Sequence, residues 1–417
     1  MNWDRTRLEA ISLRITKGST PTTLGSAFTS SGVNFIKAEA LNGDPELDSS
    51  GFAFVDEETH KNLLKRSVLA EDDVLITIAG AKIGACGRVK KKHLPANTNQ
   101  AVGIVRIDTE KAHPPFVYYF FKQHETYQFI QGLNAQAAQP NINLATLGSI
   151  EIPLPTIETQ RHIADAISAY DDLIATNQRR IALLEDAARR LYREWFVHLR
   201  FPGHEQVEVK DGVPQGWQRG SAHDFISILS GGTPKTGVEH YWGGDIPFFT
   251  PKDSPDAYYV LGTEKTLTET GLASCNSQLF AKNTTFITAR GTVGKVALAQ
   301  SRMAMNQSCY ALVPKQGYDS FFLFSAIKDA VEHFKQVAVG GVFDAIVIDT
   351  FKVIPFVLPK VEVTKAFGNT VQPLFQQVET LLLQNQQLAQ ARDLLLPKLM
   401  SGQLDVCGIR LPEELAA

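Results

Sequence analysis

Two stretches of the chain keep a hydrophobic stripe at alternating steps of four and three residues. In the first, positions 163, 167, 170, 174, 177, 181, 184, 188, 191 and 195 read Ile, Ile, Tyr, Ile, Asn, Ile, Leu, Ala, Leu, Trp. In the second, positions 367, 371, 374, 378, 381, 385, 388, 392, 395 and 399 read Phe, Val, Leu, Val, Leu, Asn, Leu, Arg, Leu, Leu. A heptad seam sustained this far, with Arg179, Arg180, Glu185, Asp186, Arg189 and Arg190 off it, predicts a long helix packed along a partner. The plainer source of such a stripe is one helix face packed on a globular core. We expect an antiparallel pair, with Ile167, Ile174, Asn177, Ile181 and Leu184 of one seam facing Val371, Val378, Asn385 and Leu388 of the other. Each stripe holds one Asn followed by Gln. A buried seam Asn costs stability and fixes register; at the seam edge it would stay wet. From Pro155 to Asn177 is 22 residues and from Pro359 to Asn385 is 26, so the second helix carries about one extra turn, roughly 6 Å.

Ahead of each helix the pattern changes to short β-branched runs. VLITIA (74–79) and AVGIVRI (101–107) in the first half correspond to TTFITA (284–289) and CYALVP (309–314) in the second, and all four read as strands. PFVYYFFKQHETYQFI (115–130) and SFFLFSAIKDAVEHF (320–334) read as helices, and EIPLP and PFVLP as closing strands. The chain thus repeats itself. Trp3 and Trp217, the Thr-Pro turns in KGSTPTT (17–23) and SGGTPKT (230–236), AGAKIG (79–84) and ARGTVG (289–294), Asn99-Gln100 and Asn306-Gln307, and Pro155 and Pro359 recur in one order. The offset drifts from 214 to 204, as small loop deletions cause. The fold class expected is α+β: two pseudo-repeated β-rich domains, 1–156 and 216–360, each followed by a long helix, 157–198 and 361–417. FPGHEQVEVKDGVPQGW (201–217), with two Pro and three Gly, reads as a linker within 199–215 and just beyond. In the last segment Pro397 is expected to interrupt the helix and Ser401-Gly402 to stop it.

The composition adds exclusions. Net charge is −3 and the pI about 6.4, so no global positive field draws the chain to nucleic acid, though local basic faces remain open. Four scattered cysteines, with no C-x-x-C pair, fit a reducing cytoplasm better than a disulfide or zinc scaffold. No secretory leader or membrane-spanning run is apparent, and no metal set is expected. The phosphate-loop, dinucleotide, zincin and nucleophile-elbow motifs are all missing, as is the Asn-Pro-Pro-aromatic motif of amino-methyltransferases. His113, His124, His162 and His198 read as ordinary surface or core histidines. No catalytic residue is assigned.

Candidate contact residues recur instead. Lys37 follows the strand VNFI and Lys252 follows IPFFTP. Lys82, Arg290, Thr292 and Lys295 lie in the Gly-rich turns, and Thr20, Thr233 and Lys235 in the Thr-Pro turns. Arg88, Lys90 and Lys91 suit phosphate, although a Lys run is often only a solvated face. Asn99, Gln100, Asn306 and Gln307 carry the amides that pair with adenine, but Asn-Gln before a strand also caps turns. Gln139 and Asn141 form a polar group that the second half lacks, and Gln160 stands opposite Thr364; such differences are where the two modules are expected to read different bases.

These residues bring a family into view. The duplicated G-x-T-P turn, GGDIPFFTPKD (243–253), ARGTVG, Met-Asn-Gln (305–307), IPLPTIETQ (152–160), LYREWFVHLRFPGHE (191–205) leading to VPQGW, and LLPKLMSGQL (395–404) resemble the specificity subunit of type I restriction–modification enzymes over nearly the whole chain. The resemblance implies two target recognition domains, each reading half of a split DNA sequence. It implies a helical spacer of about 54 Å whose length sets the gap between half-sites. It implies two methyltransferase subunits that carry S-adenosylmethionine. For cleavage it adds two motor-nuclease subunits using ATP and Mg, with no cofactor on this chain and a cytoplasmic setting. A two-headed protein scaffold, or a nucleic-acid enzyme with an unusual site, are the competing readings.

Overall fold

The computed structural model describes residues 3–41, 46–133, 141–337 and 345–405. In chain order the first half holds β1 (Arg5–Arg7), β2 (Ser12–Lys17), β3 (Val33–Ile36), β4 (Phe52–Val55), β5 (Val74–Thr77), β6 (Cys86–Arg88), β7 (Ala96–Thr98), β8 (Val102–Ile107), α1 (Pro114–Lys122), α2 (His124–Gly132), α3 (Leu144–Gly148), β9 (Glu151–Pro153) and the long α4 (Ile157–Tyr192). The second half holds β10 (Val209–Lys210), β11 (Val213–Pro214), β12 (Gln218–Ser221), α5 (Ala222–Phe225), β13 (Ile226–Ser230), β14 (Trp242–Phe249), β15 (Tyr259–Val260), β16 (Lys265–Leu267), α6 (Glu269–Ala273), β17 (Thr285–Thr288), β18 (Val296–Ala299), β19 (Ala304–Met305), β20 (Cys309–Pro314), α7 (Ser320–Val337), α8 (Ile348–Val353), β21 (Pro355–Leu358) and α9 (Val361–Met400).

The repeat in letters is a repeat in topology. The first half builds sheets β2-β8-β5-β6, β4-β3-β7 and β1-β9. The second builds β13-β20-β17-β18-β15, β16-β14-β19 and β12-β21, the same order with β15 added at one edge. In both three-stranded sheets the pair holding the Asn-Gln approach is parallel, Ile36 with Thr98 and Phe249 with Met305. Strands β5, β17 and β18 are buried on every residue, which is why they read as continuous apolar runs.

The chain divides into two compact units, residues 1–176 with 385–417, and residues 177–384. Each unit therefore takes one β-rich module and half of each long helix. In unit 1, Arg392 on α9 bonds Asp171 on α4, and Asn385 donates to the Ile174 carbonyl, so the helices run antiparallel. In unit 2, Phe367 meets Tyr192 and Trp195, and Tyr258 joins Glu185 to Phe375. None of the predicted seam positions is exposed. Asn177 is buried, and Asn385 is half-buried with its amide on a facing carbonyl, so the Asn positions sit in the seam and not at a wet edge. The stripe also packs on the modules: Ile163 and Ile167 belong to one core with Phe116 and Leu399, and Val371 and Val378 to another with Phe322.

Four local expectations are corrected. The helix read across 115–130 breaks at Gln123, whose backbone is extended and whose side chain caps the Phe120 carbonyl. Pro397 does not interrupt α9, because Leu399 and Met400 bury in the unit 1 core and hold one more turn; Gly402, at φ 71°, follows the helix end. The linker-like segment is packed onto unit 2, with Phe201 stacked on Trp217 at 4.9 Å and a β10–β11 hairpin turning at Asp211-Gly212. Gln160 and Thr364 are both fully buried: Gln160 accepts the His113 amide before α1, and Thr364 accepts the Asp319 amide before α7. That departure between the halves is one joint made with two side chains.

Candidate nucleic-acid interface

The repeated motifs, scattered along the sequence, meet in each unit at one place. Thr20 donates its hydroxyl to the Gln100 side-chain oxygen, and Thr233 does the same to Gln307. The turn lies directly on the Asn-Gln loop. A Cβ on Gly18 would come within 2.1 Å of the Thr98 carbonyl oxygen, and one on Gly231 within 2.2 Å of that of Asn306. Only glycine permits this approach, which explains the shared Gly two residues before each Thr-Pro. Gln100 and Gln307 are exposed, and Asn99 and Asn306 half-buried. The Asn306 side chain accepts the Ser308 amide at 3.0 Å, a turn cap, whereas the buried Oδ1 of Asn99 has no hydrogen-bond partner.

Next to this clamp runs the Gly-rich turn. Ile78 donates to the Ala101 carbonyl and Ala289 to that of Ser308. Ile142 donates to Ile78, and Ile346 to Ala289. These bonds place Ile78 opposite Ala289, one residue out of step with the letter match of AGAKIG to ARGTVG. Gly80 then stands opposite Gly291, both at positive φ, and Gly84 opposite Gly294. The first turn is one residue longer. Arg290 thus corresponds to Ala79, and Lys82 lies within the longer turn.

The third strand of the site needs the same correction. Lys37 and Lys252 do not occupy matched places. The amide of Ala40 bonds the Lys37 carbonyl as that of Asp253 bonds Thr250, so Lys37 stands opposite Thr250 and Lys252 opposite Glu39. The sequence hid this because both lysines follow an apolar strand at nearly equal distance.

The other candidates divide by what holds them. Lys82, Lys91, Lys235, Lys252, Arg290 and Thr292 are exposed. Lys37 lies over the Phe28 ring at 5.1 Å. Lys295 pairs with Asp256. Arg88 pairs with Asp72 at 3.2 Å, and Lys90 and Lys92 with Glu46 at 2.7 and 2.5 Å. Burial pushes the Glu46 carboxyl up, but the two lysines outweigh it and hold it below the ordinary range. Most of this basic run is therefore engaged within unit 1. Asn141 is exposed and bridges Ala79; Gln139 lies outside the described residues. Among the described residues there is no cluster of three or more metal-binding side chains, and no helix is long and apolar enough to cross a membrane. Sequence reasoning missed the Thr–Gln bond, since its partners lie far apart in the chain; their joint recurrence was the available signal.

Both halves match known proteins. Residues 3–186 and 214–390 each match the Type I restriction modification DNA specificity domain. The Type I restriction enzyme HindI specificity subunit of Haemophilus influenzae is 23% identical over 357 residues, covering 70% of this chain and 77% of that protein. The Type I restriction enzyme MjaIX specificity subunit of Methanocaldococcus jannaschii is 23% identical over 414 residues, covering 97% and 94%. In fold, the chain is similar to the crystal structure of the S subunit of a type I restriction–modification system from M. genitalium, at TM-score 0.59 and 16% identity, with 96% of each chain covered.

Proposed function

The chain belongs to the family of type I restriction modification DNA specificity proteins, and on that premise we propose how it works. It is the sequence-specific DNA-binding subunit of a type I restriction–modification complex, acts in the cytoplasm and performs no catalysis. Each module reads one half of a bipartite target. The observation that carries this reading is the duplicated clamp: Thr20–Gln100 and Thr233–Gln307, each beside a Gly-rich turn and each with its Gln exposed. A single frame built twice, with different side chains around it, suits a duplex whose backbone is the same in both half-sites and whose bases are not.

Thr20, Gln100, Thr233 and Gln307 then position the module on the duplex. Lys37, Lys82, Lys91, Asn141, Lys235, Lys252, Arg290 and Thr292 supply contacts that differ between the halves. Arg88, Lys90 and Lys295, tied to acids, contribute less. Two methyltransferase subunits dock on the helices and bring S-adenosylmethionine; where cleavage occurs, two motor-nuclease subunits bring ATP and Mg. The test is a mobility-shift comparison of duplexes with the methyltransferase partner present. A preference for one split sequence is expected. Equal binding to every duplex would favour a protein scaffold, and S-adenosylmethionine binding by this chain alone would overturn the division of labour.

A further inference from the structure

The bonded frames of the two modules can be overlaid residue by residue, and the overlay exposes an asymmetry. Where unit 2 has Arg290 and Lys252, unit 1 has Ala79 and Glu39. The two unit 2 cations belong to touching turns: a Cβ on Gly291 would lie 3.9 Å from the Cβ of Pro251, and each cation is one residue from that contact. Both side chains are exposed, and neither forms an ion pair among the described residues. Two acids that follow Lys252 in the chain are engaged. Asp253 accepts the Thr250 amide and hydroxyl at 2.8 and 2.7 Å and the Glu264 amide at 2.7 Å, and Asp256 is paired with Lys295. Elsewhere the basic candidates Arg88, Lys90 and Lys295 are neutralised by partners.

We propose that Arg290 and Lys252 form a DNA-binding grip that only the second module possesses, so that the two half-sites are held unequally. This rests on the DNA-reading function proposed above. The chemistry is that of two cationic donors meeting paired acceptor atoms. These are supplied either by phosphate oxygens or by the O6 and N7 edge of guanine. At the matched place unit 1 offers a methyl group and a carboxylate, which an anionic backbone does not attract. The first module must hold its half-site from other positions, such as Lys37 and Lys82.

The experiment uses the intact complex with its methyltransferase subunits. Equilibrium binding to the target duplex is measured between low and moderate salt for the unaltered complex, for the double variant Arg290→Ala/Lys252→Ala, and for Glu39→Lys. The double variant is expected to bind at least about tenfold more weakly while melting at the same temperature. If the grip is on phosphate, the slope of log K against log salt falls by about 1.8, and the loss is uniform over sequences. If it is on guanine, discrimination disappears at one base pair of one half-site only. Glu39→Lys is expected to tighten binding and steepen the slope by about one unit. Unchanged affinity and slope in the double variant, while the unaltered complex still prefers its target, would overturn the grip and leave the DNA-reading function standing. Loss of any preference in the unaltered complex would overturn both.

Discussion

At the scale of single residues, burial decides what a side chain does. Glu185 lies on α4 within unit 2, and its carboxylate accepts the Tyr258 amide at 2.8 Å. Burial pushes its carboxyl up to about 7, against the Tyr258 bond and Lys328, which both favour the ionised form. The folded value exceeds the ordinary 4.5, so the unfolded chain gives up this proton first as pH rises. The contribution of this one group to stability is therefore greatest below about pH 4.5 and declines as the pH climbs toward 7, by up to about 3 kcal/mol. Glu185→Gln keeps an acceptor for the amide and removes the titration. Urea unfolding should find the variant more stable than the parent by about 1–3 kcal/mol at pH 8 and nearly equal to it at pH 5. A difference that does not change with pH would mean that Glu185 is not the titrating group.

At the scale of elements, each module is tied to a long helix by a buried, bonded carboxylate. In unit 1 Asp171 receives Arg392 of α9 at 2.6 Å, Lys122 of α1 at 3.1 Å and the Tyr119 hydroxyl at 3.0 Å. In unit 2 the corresponding Glu379 receives Lys282 at 2.5 Å and Gln300 at 3.0 Å. Desolvation lowers the Lys122 pKa, and Asp171 opposes that shift. Asp171→Ala strands the buried Lys122 and leaves Arg392 only its exposed neighbour Asp393, and should cost about 3–5 kcal/mol in denaturant unfolding. The triple variant Asp171→Leu/Lys122→Met/Arg392→Met should recover most of that loss, because the penalty lies in unpaired charge and not in the missing bond. A triple variant as unstable as the single one would place the effect in packing.

The elements themselves were largely legible in the sequence. β3 and β20 fall on VNFI and CYALVP, since β-branched runs buried on one or both faces leave a clear pattern. What was not legible depends on tertiary bonds. The break at Gln123 lies inside an unbroken aromatic and polar run. Pro397 stays helical because of what Leu399 and Met400 bury against. The one-residue shift that sets Arg290 opposite Ala79 is invisible in letters, because Gly84 and Gly294 invite the wrong alignment and only the paired bonds of Ile78 and Ala289 correct it.

At the scale of the whole molecule, α4 and α9 are the only described elements that pass through both units, 36 and 40 residues long. If they set the gap between half-sites, their length must be convertible into base pairs. Four residues add about 6 Å and a residual rotation of about 40°. Two base pairs add about 7 Å and turn the duplex by about 70°. The two increments are close enough for a lengthened spacer to find a lengthened gap. The place for the insertion follows from the bonds on either side. Between Thr176 and Asn177, and between Gln384 and Asn385, it leaves the Asp171–Arg392 pair in unit 1 and the Glu185–Tyr258 pair in unit 2 untouched. Four residues in both helices at those points should shift the methylated target to a gap about two base pairs longer with unchanged half-sites. Sequencing of methylated sites in cells carrying the intact system would read this directly. Four residues in one helix alone should abolish methylation, because the facing seam is then out of register with Asn177 and Asn385. An unchanged gap in the double insertion would mean that the modules, and not the helices, measure the distance between the half-sites.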